Sequence, residues 1–227
     1  MKKNWKNMLQ RKRILDLLPK NRKPIEERIS ATNFDRKFHW QLGKEYFDGT
    51  RKQGYGGYKY DGRWAPVAKF LTNEYKLNNN SRVLELGCAK GFLLTELSNE
   101  LPGVELWGLD ISQYALNSIT ITENMHLVQG NFESLPFSSN YFDLVISINS
   151  IHNILTINET IRAISEIRRV ARNSVISVAA YRTEEEKKFL NNWAVVATTY
   201  LHENEWIKIF KLSGYQGDYD WFQPWNI

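Results

Sequence analysis

The 227 residues hold 42% hydrophobic and 24% charged side chains, the balance of a chain with an ordinary buried core, and no run approaches the roughly 18 apolar residues that span a bilayer. A single cysteine, Cys88, excludes an internal disulfide and a zinc cluster built on cysteines, and the basic N-terminus lacks the apolar stretch of a signal peptide, so a cytoplasmic location is expected. The net charge of +5 is uneven: residues 1–28 sum to +7 and the rest of the chain to −2.

The first region, residues 1–29, is a basic leader. It reads as a solvated arm able to bind nucleic acid, an anionic membrane surface or an acidic protein. Trp5, Met8, Leu9, Ile14, Leu15 and Leu18 also recur at roughly helical spacing, so a short helix docking on the body, or on the second subunit of a homodimer, is the other reading. Residues 30–64 are crowded with Tyr, Gly and Arg, which suits a loop-rich cap better than a regular helix or long strand. Residues 65–227 alternate strand and helix signals, the pattern of a mostly parallel sheet covered on both faces.

Within that third region, Pro66–Tyr75 reads as a helix and Asn78-Asn79-Asn80 as a turn. Arg82–Leu86 is a short apolar strand, and a helix runs from Phe92 to about Leu101 until Pro102-Gly103 stops it. Val104–Asp110 is the second strand, Ser112 an N-cap, and Tyr114–Thr122 the second helix. Strands follow at His126–Gln129 and Phe142–Ile148, the latter apolar enough to be buried on both faces. Glu159–Ala171 is a periodic helix, Val175–Ala180 a strand, Glu184–Leu190 and Glu203–Leu212 helices, and Tyr215–Phe222 a last strand.

The chemistry concentrates where the first strand meets its helix: Val83-Leu84-Glu85-Leu86-Gly87-Cys88-Ala89-Lys90-Gly91. Glycines four apart let the backbone reach positive φ and approach a ligand, and the helix start offers unpaired N–H groups to an anion. Dinucleotide folds use G-x-G-x-x-G at this place; here the spacing is G-x-x-x-G, with Glu85 two residues ahead. Nineteen residues past Gly91 the second strand ends in Asp110, whose carboxylate is placed to accept from ribose hydroxyls.

These segments, with Gln129-Gly130-Asn131-Phe132-Glu133-Ser134-Leu135-Pro136-Phe137 and Phe142-Asp143-Leu144-Val145-Ile146-Ser147, resemble in order and spacing the motifs of class I S-adenosylmethionine-dependent methyltransferases. The resemblance covers about Ser81–Asn153. It implies a Rossmann-like α/β fold and S-adenosyl-L-methionine as cofactor, with the Gly87-Cys88-Ala89-Gly91 loop around its methionine part, Asp110 on the ribose, Ile111 against the adenine, and Gly130, Asn131 and Phe132 beside it. Asn131 stands where Asp is commoner, and an amide oxygen still accepts from the adenine amine. Cys88 reads as a small packed residue rather than a nucleophile. The string Tyr46-Phe47-Asp48-Gly49, Gly54-Tyr55-Gly56-Gly57-Tyr58 and Tyr60-Asp61-Gly62-Arg63-Trp64 resembles the signature of one bacterial subgroup often linked to surface-sugar or specialised small-molecule pathways. Little chain follows Phe222, so the antiparallel hairpin that usually closes the fold is expected to be incomplete or rearranged.

His152 lies just past the fourth strand, at the carboxyl edge where open α/β sheets bind ligands, and is read as a general base; packing within its loop is the alternative. Asn149 would contact cofactor or acceptor. In the cap, Arg63 would grip a carboxylate and Tyr58 would close over the sulfonium, unless these side chains simply cover the sheet edge. No D/N-P-P-Y/F/W segment occurs and no metal-binding set resembles that of catechol-type enzymes. The expected activity is metal-independent O- or N-methylation of a small polar acceptor. The alternatives are an RNA or protein methyltransferase gripping its substrate through the leader, and a cofactor-binding partner subunit without turnover.

Overall fold

The structure is a computed structural model that describes residues 9–19, 29–194 and 196–224. Strands β1 (Arg82–Leu86), β2 (Glu105–Asp110), β3 (Met125–Gln129), β4 (Phe142–Ile148), β5 (Ala171–Tyr181), β6 (Leu201–His202) and β7 (Asp218–Phe222) form one sheet. Its order is β3-β2-β1-β4-β5, and β7 and β6 both pair with β5, β7 along Val175–Ala179 and β6 beyond it at Ala180–Tyr181. Every strand pairing among the described residues is parallel, so each needs a crossover, and helices supply them. The helices are α1 (Asn33–Arg36), α2 (Lys44–Asp48), α3 (Ala65–Glu74), α4 (Phe92–Glu100), α5 (Gln113–Leu116), α6 (Ile157–Val170), α7 (Glu184–Trp193) and α8 (Glu203–Leu212).

The core has two sides, as alternation along the central strands requires. Leu84, Leu86, Val145, Ile176 and Val178 face α6 and α8, burying Ile164, Ile167, Trp206 and Phe210. Val83, Leu144, Ile146 and Val175 face α3 and α4, burying Val67, Leu71, Leu94 and Leu97. A reciprocal cap between Thr156 and Glu159 starts α6, the longest helix, and Arg168 and Arg169 occupy its last turn, where cations suit the helix dipole.

One sequence expectation changes, and the expected rearrangement of the closing hairpin is found. The helix expected over 114–122 stops at Leu116: the Ser118 hydroxyl turns back on the Tyr114 carbonyl at 2.9 Å, and β-branched Thr120 and Thr122 add no helical preference. The final strand does not make an antiparallel hairpin. β7 runs parallel to β5, and residues 10–12 lie along its other edge, with Lys12 N–H donating to Tyr219 O and Tyr219 N–H to Gln10 O, each at 2.9 Å.

The described part of the leader is therefore built into the sheet. A short 3-10 turn, Ile14–Leu17, buries Ile14 in the α3/α4 side of the core and Leu15 beside Ala179 and Phe222. Buried Asp220 accepts from the Leu15 N–H at 2.9 Å, the Trp221 N–H at 2.8 Å and Arg11 Nε at 3.3 Å. A solvated arm does not describe residues 9–19; their aliphatic side chains have a core to enter. Trp5 and Met8 of the expected helical stripe lie outside the described residues.

Candidate active site

β1 and β2 end side by side, and the loop after β1 is stitched to the tip of β2. Gly87 N–H donates to Leu109 O at 2.7 Å and Cys88 N–H to the same oxygen at 3.2 Å. The turn needs positive φ at Gly87 (75°), Ala89 (48°) and Gly91 (68°). A Cβ on Gly87 would fall 2.1 Å from Ser150 Oγ, so glycine is required there for space as well as for φ. Ala89 and, past β4, Asn149 (φ 58°) adopt the left-handed region without being glycine, a strain that clusters at this edge.

Asp110 is held from both sides: Oδ2 accepts from the Ala89 N–H and Oδ1 from the Ser112 N–H, each at 2.8 Å. Burial raises its pKa and these backbone N–H bonds act against that rise. Glu85 is buried just behind. Burial and the neighbouring Asp110 carboxylate push its pKa well up, and its Oε2 has no hydrogen-bond partner among the described residues. A buried, unpaired carboxylate oxygen is costly unless a ligand supplies a donor. Ile111 is 59% exposed beside Asp110, an apolar face open to a flat ligand. Phe132 reaches the glycine loop, 3.4 Å from the position a Gly87 Cβ would take, and Gly130 N–H donates to Asp110 O. The structure thus brings Glu85, Gly87, Ala89, Gly91, Asp110, Ile111, Gly130 and Phe132 to one place. Asn131 is exposed, and its Oδ1 accepts from the Glu133 N–H at 3.2 Å, closing its own turn. Cys88 is buried, and burial, then Glu85, pushes its thiol well up, so it stays protonated and packed against the Cβ side of Gly108.

His152 has different surroundings from those of a base. Its ring is buried, and Nδ1 accepts from the Ala179 N–H at 3.0 Å. The neutral ring then carries its hydrogen on Nε2, leaving a donor where a base needs a lone pair. Burial lowers its pKa to about 4. The general-base assignment is corrected on this geometry: His152 ties the loop after β4 to β5, with its own carbonyl taking the N–H groups of Thr198 and Thr199. Asn149 is likewise turned to β5, accepting from Ser177 Oγ at 2.7 Å.

The cap covers the glycine loop. Tyr46 and Phe47 on α2 pack with Ala89, Ala115 and Val196. Tyr58 lies between Tyr55 and Phe92, ring centroids 4.5 and 4.7 Å away, with its phenol pushed well up by burial and then by Tyr55 and Glu85. Arg63 pairs with Asp61 two residues before it, through Nε at 2.8 and 2.9 Å and through Nη2, and both side chains are about half exposed. Its guanidinium is thus taken up by Asp61, with the Tyr58 phenol near enough to interact with its charge.

Sequence reasoning missed the groups that fasten the cap. Asp48 accepts from Lys90 Nζ at 2.6 Å on both oxygens and from the Tyr114 hydroxyl at 2.6 Å; Ser112 Oγ donates to Leu42 O at 2.5 Å. Arg51 is buried and places its guanidinium carbon 5.2 Å from the centroid of Trp193, at the end of α7. Only long-range pairing would have revealed these, and a single sequence carries no such signal.

Residues 83–174 match the family model described as "Methyltransferase domain". A putative methyltransferase of Encephalitozoon cuniculi is 30% identical over 62% of this chain and 58% of its own length. The malonyl-[acyl-carrier protein] O-methyltransferase of Legionella pneumophila is 26% identical over 56% of this chain and 45% of its own. The chain thus spans about half the length of these curated relatives. The YcgJ protein of Bacillus subtilis superposes with a TM-score of 0.53 at 20% identity, covering 64% of this chain and 66% of that one, a likeness of fold. Residues 83–174 thus carry a methyltransferase domain, set on a mostly parallel Rossmann-like sheet with the glycine loop after β1 and Asp110 at the tip of β2.

Proposed function

We propose that the chain binds S-adenosyl-L-methionine and transfers its methyl group to an oxygen or nitrogen of a small polar acceptor, a sugar or specialised metabolite, without a metal. The observation that carries this reading is the pair of buried carboxylates at the glycine loop: Glu85 with an unpartnered oxygen, and Asp110 fixed by two backbone N–H groups. Glu85 suits the ammonium of the methionine part, Asp110 the ribose hydroxyls, and exposed Ile111 the adenine. When bound, the cofactor supplies an electrophilic methyl group on a sulfonium. The protein's part is to orient the acceptor and exclude water, and the aromatic cap over Ala89 does the second.

A small acceptor is favoured over RNA or protein by what the described leader does with its charge. Arg11 pairs with Asp220, and Lys12 with Glu74 and Asp218, so these cations serve the fold. Isothermal titration tests the cofactor: one site for S-adenosylmethionine or its demethylated product, with ATP binding far more weakly. Equal affinity for ATP would sink the reading.

A further inference from the structure

The cap is fastened to both segments that flank the proposed cofactor site. From the end of α2, Asp48 accepts from Lys90 Nζ, which belongs to the glycine loop, and from the Tyr114 hydroxyl on α5, each at 2.6 Å. The Lys90 side chain is 11% exposed and that of Asp48 26%, so solvent screens this ion pair only in part. Beside it the Ser112 hydroxyl donates to Leu42 O. Within the cap, the Tyr55 and Tyr58 N–H groups donate to Tyr46 O and Phe47 O, each at 2.8 Å, which ties the chain around residues 55–58 to α2. The ring of Phe47 stacks on Tyr114, centroids 6.2 Å apart.

This fastening closes one side of the cofactor end. Ala89 is buried in one cluster with Tyr46, Phe47 and Val196, and Glu85 and Asp110 are 7% and 8% exposed. Ile111, by contrast, is open. A nucleoside joined to an amino acid has to reach both places at once, so its methionine part needs the cap lifted from the glycine loop. The fastening also reaches Asp110. Its two N–H donors are Ala89, the residue before Lys90, and Ser112, whose hydroxyl holds Leu42 O. Cap and ribose carboxylate are therefore coupled through adjacent residues of the chain.

We propose that the cap is a gate on the cofactor site and that Asp48 is its latch, a statement resting on the methyltransferase reading above. Opening breaks the bonds from Lys90 and Tyr114 to Asp48, the cofactor enters or leaves, and closing sets the Ala89 and Ser112 donors around Asp110. The latch runs between protein groups alone, so it stabilises the closed cap whether the site is empty or filled. Its loss therefore speeds entry and exit alike and leaves the affinity nearly unchanged. A residue that touched the ligand would behave differently, because its loss would speed exit alone.

The test mixes the full-length protein with S-adenosylhomocysteine, the demethylated cofactor, in a stopped-flow instrument and follows tryptophan fluorescence. Asp48→Asn should raise the association and dissociation rate constants each about tenfold or more, the scale of one lost charge-assisted bond, while Kd moves less than about threefold. Tyr114→Phe removes one donor, keeps the ion pair and the stacked ring, and should raise both rates by a smaller factor, about two- to tenfold. That second variant decides the matter if Asp48→Asn folds poorly. Wild-type rates in the variants, or a change in one rate without the other, overturns the latch and keeps the methyltransferase reading. Failure of the wild type to bind S-adenosylhomocysteine would discard both.

Discussion

The two halves of the sheet are built from different kinds of sequence. The β3-β2-β1 half, with its glycine loop and Asp110, comes from one contiguous stretch, and its ligand-facing groups are fixed by backbone: Asp110 by Ala89 and Ser112, the loop by Leu109 O. The β5–β7 half is gathered from distant pieces. Residues 10–15 lie against β7, Trp193 comes from the end of α7, and Arg51 reaches Trp193 from the cap. Backbone-fixed geometry suits a cofactor shared across many enzymes. Side chains contributed from afar suit an acceptor that differs between them.

If the second half depends on residues 9–19, the largest effect of any change should appear there. An arm that only carried charge would leave the core intact on removal. Ile14, however, is fully buried, and Ile14→Ala should cost about 2–5 kcal/mol in urea unfolding, with deletion of residues 1–19 giving protein that is not stably folded. A deletion that melts like the intact chain would show that the two halves are equally self-sufficient.

His152 links the halves, and its effect should be next in size. Its folded pKa of about 4 lies below the ordinary 6.5, so as pH falls the unfolded chain takes up this proton first. The stability is full above about pH 6.5, declines down to about pH 4, and then levels, a loss on the order of 3 kcal/mol. Unfolding in urea at several pH values should show that slope in the wild type and a shallower one in His152→Gln, whose amide oxygen can still accept from Ala179. Turnover of that variant should stay within about tenfold of wild type, since a true base contributes about 10²–10⁴.

The contrast between the halves also explains what was legible. β1 and β4 were readable to the residue because an apolar run bounded by polar turns has one sensible reading, and Glu85, Gly87, Gly91 and Asp110 because their spacing is local. The placement of Ile14 and Leu15 was hidden in a +7 segment whose composition says solvent, while their partners, Asp220 and Phe222, lie some two hundred positions on. His152 was found by position, but its tautomer depends on the Ala179 N–H, which no spacing reveals. Arg51 was passed over among many cap arginines and lysines because burial, the property that singles it out, belongs to the fold.

In the contiguous half, Asp110→Ala should weaken cofactor binding by about 1.5–3 kcal/mol, roughly 10–100-fold, since it removes charge-assisted acceptors. The loop would lose its clasp as well, because the Ala89 N–H donates to the same carboxylate. Asp110→Asn separates the two: it keeps one oxygen for Ala89 or Ser112 but loses the charge. A titration in which Asp110→Asn binds nearly as well as wild type would assign the carboxylate to holding the loop rather than the ribose.

Arg63 should show the smallest effect, and it sharpens the comparison because it sits in the cap near the contiguous half yet is fixed only by its neighbour. Its guanidinium meets Asp61 two residues away, with both side chains about half exposed. An exposed pair of this kind contributes roughly 0–1 kcal/mol, less in salt. Had Arg63 gripped the cofactor carboxylate, its removal would cost a charge-assisted bond of about 1.5–3 kcal/mol. Arg63→Ala is therefore expected to shift the cofactor Kd by less than about threefold and the unfolding free energy by under about 1 kcal/mol. The informative control is Asp61→Ala, which releases Arg63 without removing it. If Asp61→Ala tightens cofactor binding while Arg63→Ala weakens it well beyond threefold, the ion pair is a rest position and Arg63 swings to the ligand when the site fills. If neither variant moves the Kd, the pair is a surface clasp on the turn before α3, and the cofactor end is held by β1, β2 and their backbone.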